Sequence, residues 1–194
     1  MLFRSAEPEN TVPAFRRAAA MGADAVELDV RRSADGVLVV HHNPHLDDGR
    51  LVASTPYAAL PDRVPTLGEA LDACQGMWVN VEIKNDPDEP DFDATESIAD
   101  ETIAHLVARG TDDAWLISSF REETIDRCRA LAPQIATAWL CVEIDDETPS
   151  RLSAKGHVAV HPWVRALTAA QVERCHAAGL QVNTWTVEIG RAHV

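Results

Sequence analysis

No stretch of this chain approaches the roughly 18 consecutive apolar residues that a membrane-spanning helix needs. Basic residues are scarce: 17 lysines and arginines stand against 31 aspartates and glutamates, a formal net charge of -14. They form no cluster, so neither nucleic acid nor an anionic membrane surface finds a counter-charge to bind. A small phosphate ester is not excluded, because a bound divalent cation can invert the local sign. The four cysteines, Cys74, Cys128, Cys141 and Cys175, are far apart and include no Cys-x-x-Cys pair. That argues against a zinc knuckle and a disulfide framework. They read as small buried hydrophobes, as expected of a cytoplasmic protein in a reducing compartment. No Gly-rich phosphate loop of the dinucleotide-binding kind is present either.

The chain does have enough apolar sequence for a core. Its 194 residues, 46% apolar and 25% charged, suit one ordinary globular domain. Two apolar runs carry carboxylates inside them: Glu27-Leu28-Asp29 and Val81-Glu82-Ile83-Lys84. A third run, Val37 to Val40, ends on His41 and His42. A buried carboxylate is costly unless it is paired, protonated or bound to a cation. Three of them at strand positions call for a common counter-charge, and a metal ion beside a histidine would supply it. Oxygen-only donors favour Mg2+ or Ca2+ over a soft metal. Lys84 lies two residues beyond Glu82 and so shares its strand face. Plainer arrangements exist: Arg31 or Arg32 could neutralise Glu27 and Asp29, and Lys84 could simply pair with Glu82.

Strand-like and helical patterns alternate along the chain. A helix opens at Asn10 or Thr11 with Pro13 in its first turn and ends at Gly22. Strands are expected at Ala25–Val30 and Val37–His42, then a helix Leu67–Cys74 behind the capping box Thr66/Glu69, then a strand Trp78–Lys84. The Asp- and Pro-rich stretch Asn85–Asp93 is a loop, read either as a solvated surface or as a lid over substrate. Beyond it the pattern predicts helix Ala94–Arg109, strand Ala114–Ser118 and a helix capped by Ser119 that runs through Leu131. Strand Ile135–Leu140, a short helix Glu147–Ala154 and strand Val158–His161 follow. A helix capped by Thr168 then ends at Gly179 ahead of the strand Val182–Val187. Such alternation predicts an α/β fold with a parallel sheet, and function-bearing strand ends favour a (β/α)8 barrel over an open sheet. Arg31–Gly36 is too short for a helical crossover, so it makes either a hairpin or an irregular connection.

The two ends look foreign. Residues 188–194 (Glu-Ile-Gly-Arg-Ala-His-Val) are what a common sequencing-adapter string encodes, and residues 1–5 are what its reverse complement encodes. The native domain is therefore expected over residues 6–187, with the native sequence longer at both ends. A genomic locus in which the same Leu-Phe-Arg-Ser precedes Ala6 would refute this.

Eight short motifs then fall in one order and spacing: Pro8–Thr11, Glu27–Val30, Asp35–His42, Pro65–Leu67, Val81–Lys84, Ile117–Phe120, Ala178–Leu180 and Trp185–Val187. In this the chain resembles the glycerophosphodiester phosphodiesterases, over nearly all of residues 6–187. The resemblance implies a TIM barrel that uses a divalent cation to hydrolyse glycerophosphodiesters to glycerol 3-phosphate and an alcohol. It implies Glu27, Asp29 and Glu82 as metal ligands, His42 as a catalytic histidine and Lys84 near the substrate phosphate. Trp185, at a strand end, reads either as a wall of the glycerol or alcohol pocket or as an ordinary core tryptophan. His45 and His161 read as structural or peripheral. Set against the family, the barrel is expected to lack its first strand and last βα unit: the family's opening His-Arg-Gly strand has no counterpart, since no histidine precedes His41. The chain by itself is accordingly expected to turn over near background. Asn43 stands where the family carries Asp. The alternatives are a related phosphodiesterase acting on a lysophospholipid or sphingolipid head group, and a non-catalytic fragment.

Overall fold

Leu28 and Val30, Val79, Val81 and Ile83, and Ile117 occupy every second position of three strands, and all are fully or almost fully buried. This period of two fixes one face of each strand against helices and turns the intervening residues to the opposite face. The computed structural model describes residues 7–110 and 114–186, and the ends expected to be foreign lie outside them. The elements are α1 (Val12–Ala20), β1 (Ala25–Arg32), β2 (Leu38–Val40), α2 (Leu67–Ala73), β3 (Trp78–Ile83) and α3 (Ser97–Arg109). They continue with β4 (Trp115–Ser119), α4 (Glu122–Leu131), β5 (Ala136–Cys141), α5 (Thr148–Lys155), β6 (Ala159–Pro162), α6 (Ala169–Ala177) and β7 (Gln181–Val182).

The strand order is β2-β1-β3-β4-β5-β6-β7. From β1 to β7 every neighbouring pair is parallel and follows chain order. Strands running one way in sequence order, with a helix returning between most pairs, form the wall of a βα barrel. Among the described residues the wall is not closed: β7 pairs only with β6, and the first half of β1 pairs only with β3. The main core packs α1, α2 and α3 on the outward faces of β1, β3 and β4. Inside the wall, Leu116, Ala138 and Ala159 form a small apolar plug.

The short Arg31–Gly36 connection is a hairpin. β2 pairs antiparallel with the end of β1, Val30 opposite Val40 and Arg32 opposite Leu38. Gly36, at φ +82°, supplies the left-handed turn residue. This hairpin brings His41 and His42 back to the carboxyl end of β1.

Several boundaries differ from those expected. α3 begins at Ser97 rather than Ala94, because Asp93 turns the chain and accepts hydrogen bonds from Thr95, Ser97 and the Ile98 N–H. Partial burial works against the charge of Asp93, but these donors hold its carboxyl well below the usual range. Ser119 does not cap α4; its hydroxyl donates to the carbonyl of Ile83, 2.8 Å away, and ties β4 to β3. The last strand is only two residues long, with Trp185 adding a single bridge to Trp163. The capping boxes at Thr66 and Thr168 are both formed. All four cysteines are buried and free. Among the described residues no helix is long and apolar enough to cross a membrane.

Candidate active site

Parallel register decides which side chains meet. Asp29 lies beside Glu82, and Glu82 beside Ser118, so Glu27, Asp29, Glu82 and Lys84 all leave the inward face of the wall near its carboxyl end. Ligand oxygens of Glu27, Asp29 and Glu82 lie within 4.8 Å of one another. Asp29 and Glu82 are buried, while Glu27 is exposed.

Among the described residues one cation, Lys84, pairs with two of these three carboxylates. Lys84 Nζ lies 2.9 Å from Asp29 Oδ1 and also pairs with Glu82. Burial disfavours the charged lysine, yet Asp29 and Glu82 outweigh it and raise the ammonium above an ordinary lysine. Burial raises the Glu82 carboxyl against the pull of Lys84, and Asp29 pushes it further up. Glu27 is held well above the usual carboxylate range by the protein around it and then by the negative charges of Asp29 and Glu82. Because Glu27 is open to solvent, the repulsion from its two neighbours is the cause with the firmer physical footing. The cluster thus carries more negative charge than Lys84 can balance. Oxygen donors in that surplus fit a hard divalent cation.

Asn10 is a member of this site that sequence reasoning assigned elsewhere. Thr11 caps α1, its side chain accepting the N–H of Ala14. Asn10 instead holds Asp29 from both ends: Nδ2 donates to Asp29 Oδ2 at 2.7 Å, and Oδ1 accepts the Asp29 N–H at 3.2 Å. Its backbone is left-handed, φ 57°, which asparagine tolerates better than most residues.

His42 is exposed, and its positive charge, when present, is one of the influences that lower Glu82. Its Nδ1 lies 3.0 Å from Oδ1 of Asn43, so the amide keeps the hydrogen bond that an aspartate would make, without the negative charge. His41 turns its Nδ1 to the Asn43 carbonyl. A cleft of about 320 Å³ lies between the Pro8–Thr11 segment and the two histidines.

Neither plainer arrangement holds for the arginines. Arg31 pairs with Glu89 and Asp91, and Arg32 with Asp93 and Glu101. Arg121 pairs with Glu96 and lies over the Phe92 ring, so the acidic stretch after β3 is pinned to the wall at several points. The ion pair of Lys84 with Glu82 does form, and it includes Asp29 as well.

Across the barrel mouth, Trp185 is half-buried. Its indole N–H reaches the carbonyls of His161 (2.9 Å) and Cys141 (3.2 Å), and its ring packs edge-on against Phe120 with centroids 5.3 Å apart. Among the other histidines, His45 is exposed and His161 is buried, its Nε2 3.1 Å from the Asn183 side-chain amide. Burial pushes His161 down to about 4. An unfolded histidine takes its proton near 6.5. Between about pH 6.5 and pH 4 the unfolded chain therefore binds more protons, so stability falls as the pH falls, by ~3 kcal/mol across that window. Urea unfolding at several pH values should show a visibly flatter slope for His161→Gln than for the parent chain. Equal slopes would refute the assignment.

The sequence profile of the glycerophosphoryl diester phosphodiesterase family matches residues 3–192. A glycerophosphodiester phosphodiesterase of Caldanaerobacter subterraneus subsp. tengcongensis is 26% identical over 93% of this chain and 81% of its own length. One of Bacillus altitudinis is 28% identical over 95% and 83%. Among solved structures, an Oleispira antarctica phosphodiesterase in complex with the product sn-glycerol 3-phosphate superposes with a TM-score of 0.81. It is 28% identical, over 96% of this chain and 82% of that one.

Proposed function

Because the chain belongs to the glycerophosphoryl diester phosphodiesterase family, we propose that it hydrolyses glycerophosphodiesters to glycerol 3-phosphate and an alcohol. In this reading a divalent cation, Mg2+ or Ca2+, is held by Glu27, Asp29 and Glu82. The observation that carries it is the convergence of these three carboxylates around a single lysine, with Glu27 raised above its usual range. The product bound in the Oleispira antarctica relative supports glycerol 3-phosphate as the half that keeps the phosphoryl group, with the alcohol as the leaving group.

The cation, when bound, would polarise the phosphoryl oxygens and neutralise charge developing in the transition state. The remaining steps belong to the chain's own residues. Asn10 fixes the carboxylate plane of Asp29 through two hydrogen bonds. Lys84 holds positive charge beside the carboxylates, where an incoming phosphate needs it. His42, at the open side of the site, moves the proton between the attacking or leaving oxygen and solvent. Trp185, its ring fixed by two carbonyls, walls the pocket for the glycerol or the alcohol.

The test is to incubate the protein with a panel of glycerophosphodiesters differing in the alcohol. It is run on this chain and on a version extended by the genomic sequence that precedes Ala6. Release of glycerol 3-phosphate should stop with chelator and return when Mg2+ or Ca2+ is restored. A product in which the phosphate stays on the alcohol, or turnover indifferent to chelation, would overturn the proposal.

A further inference from the structure

Arg31 is the largest fully buried side chain of the described residues, and none of its side chain is accessible. It stands two residues beyond Asp29 on β1, on the same inward face and one step nearer the barrel mouth. Its guanidinium donates in three directions. Nε and Nη2 both reach the carbonyl oxygen of His42, at 3.0 and 2.7 Å. Nη1 donates to Asp91 Oδ2 at 2.7 Å. Nη2 also donates to Glu89 Oε1 at 3.1 Å, and Glu89 Oε2 lies 2.8 Å from Nη1.

A buried ion pair is a weak source of stability, because desolvation offsets much of the attraction. What this one provides is geometry. A rigid planar fork can serve a carbonyl and two carboxylates at once, which a lysine ammonium cannot do with the same directions. The two carboxylates belong to the segment that follows Lys84, and the carbonyl belongs to His42. Three parts of the site, the Asp29 strand, the His42 backbone and the segment after Lys84, are locked to one side chain. His42 needs such a lock: it lies beyond the end of β2 and is exposed, so the sheet does not hold its carbonyl.

We propose that Arg31 is a positioning residue for His42: its double donation to the His42 carbonyl sets where the imidazole stands relative to the carboxylate cluster, and Glu89 and Asp91 aim the guanidinium. This rests on the reading of His42 as the proton-transfer group.

Arg31→Lys keeps a positive charge opposite Glu89 and Asp91 but gives up the paired donation to His42. In the version extended upstream of Ala6 it should lower kcat by up to about 100-fold, the scale of a small misplacement of a catalytic group, while KM changes little. The rise in Tm on adding Mg2+ or Ca2+ should be unchanged, since the three carboxylates are untouched. The His42 imidazole resonances should shift or broaden in NMR spectra of the 194-residue chain. In a His42→Ala background the same substitution should reduce kcat no further. A parent-like kcat with unshifted His42 resonances would overturn the proposal, even if Tm fell. An equal further loss in the His42→Ala background would overturn it too, by showing that Arg31 acts through something else. If His42→Ala alone left kcat unchanged, the reading of His42 would fall first and this inference with it. If Arg31→Lys fails to fold, the triple variant Arg31→Met, Glu89→Gln, Asp91→Asn removes the buried charges together. It should show the same displacement of the His42 resonances, and their constancy there would be equally fatal.

Discussion

In the version extended upstream of Ala6, glycerol 3-phosphate release is expected to fall by about 10³-fold or more in Glu27→Ala, the scale of losing a main charge-stabilising element at a phosphoryl-transfer site. Of the three carboxylates, Glu27 gives the cleanest experiment. Asp29 is tied to Asn10 and Lys84, and Glu82 to Lys84, so replacing either also frees another buried polar group. Glu27 is exposed and its main electrostatic neighbours are negative. Its removal should therefore relieve repulsion, and the cation-free protein should unfold at the same temperature or slightly higher. The rise in Tm that Mg2+ or Ca2+ gives the parent should vanish. Activity, cation-free Tm and cation-induced Tm thus move in different directions, a pattern that simple misfolding cannot produce. Parent-level release, or an undiminished cation effect on Tm, would rule Glu27 out as a ligand.

In the same extended version, His42→Ala is expected to reduce turnover by about 10²–10⁴-fold, the range for a lost proton-transfer group. The Asn43 contact says which nitrogen does the work. An amide oxygen can only accept, so with Asn43 Oδ1 against Nδ1 the neutral ring carries its proton there. That leaves Nε2 with the free lone pair, directed away from Asn43. Since His42 is exposed, added imidazole can reach the vacated space. Partial recovery of His42→Ala by imidazole, absent for Glu27→Ala, would mark the loss as one of proton transfer. Undiminished turnover in His42→Ala would remove His42 from the mechanism.

Much of this site is legible in the sequence, because the signals are local. Alternation within Glu27-Leu28-Asp29 and Val81-Glu82-Ile83-Lys84 puts the charged residues on one strand face, and parallel register then brings the two strands level at Asp29 and Glu82. The Thr66 and Thr168 boxes were legible for the same reason: a capping box involves only residues three apart. What escaped depended on distant partners. Asn10 and Thr11 are both good caps, and what separates them is Asp29, nineteen residues on. Ser119 has the spacing of a cap but finds the Ile83 carbonyl first. Arg31 invites pairing with its neighbours Glu27 and Asp29, yet its guanidinium reaches past them to Glu89 and Asp91. The Asn85–Asp93 stretch reads as a solvated loop or a lid because its composition is acidic and proline-rich. Its attachment depends on arginines contributed by β1 and by the start of α4.

The Asn10 contact also acts as a ruler along the sheet. The main-chain bonds of β1 toward β3 involve its even-numbered residues, as the Asp24 and Val30 carbonyls show, so Ala25, Glu27, Asp29 and Arg31 present their N–H and C=O groups to the other side. There the Asp29 N–H is taken by Asn10 and its carbonyl by the His41 N–H, while β2 lies along Val30 to Arg32. Any strand that docks on this side can therefore zip only along Ala25 to Glu27 and must stop below Asp29. Its last paired residue would be held level with the floor of the carboxylate cluster, and whatever follows would be delivered to the mouth of the site at a fixed height.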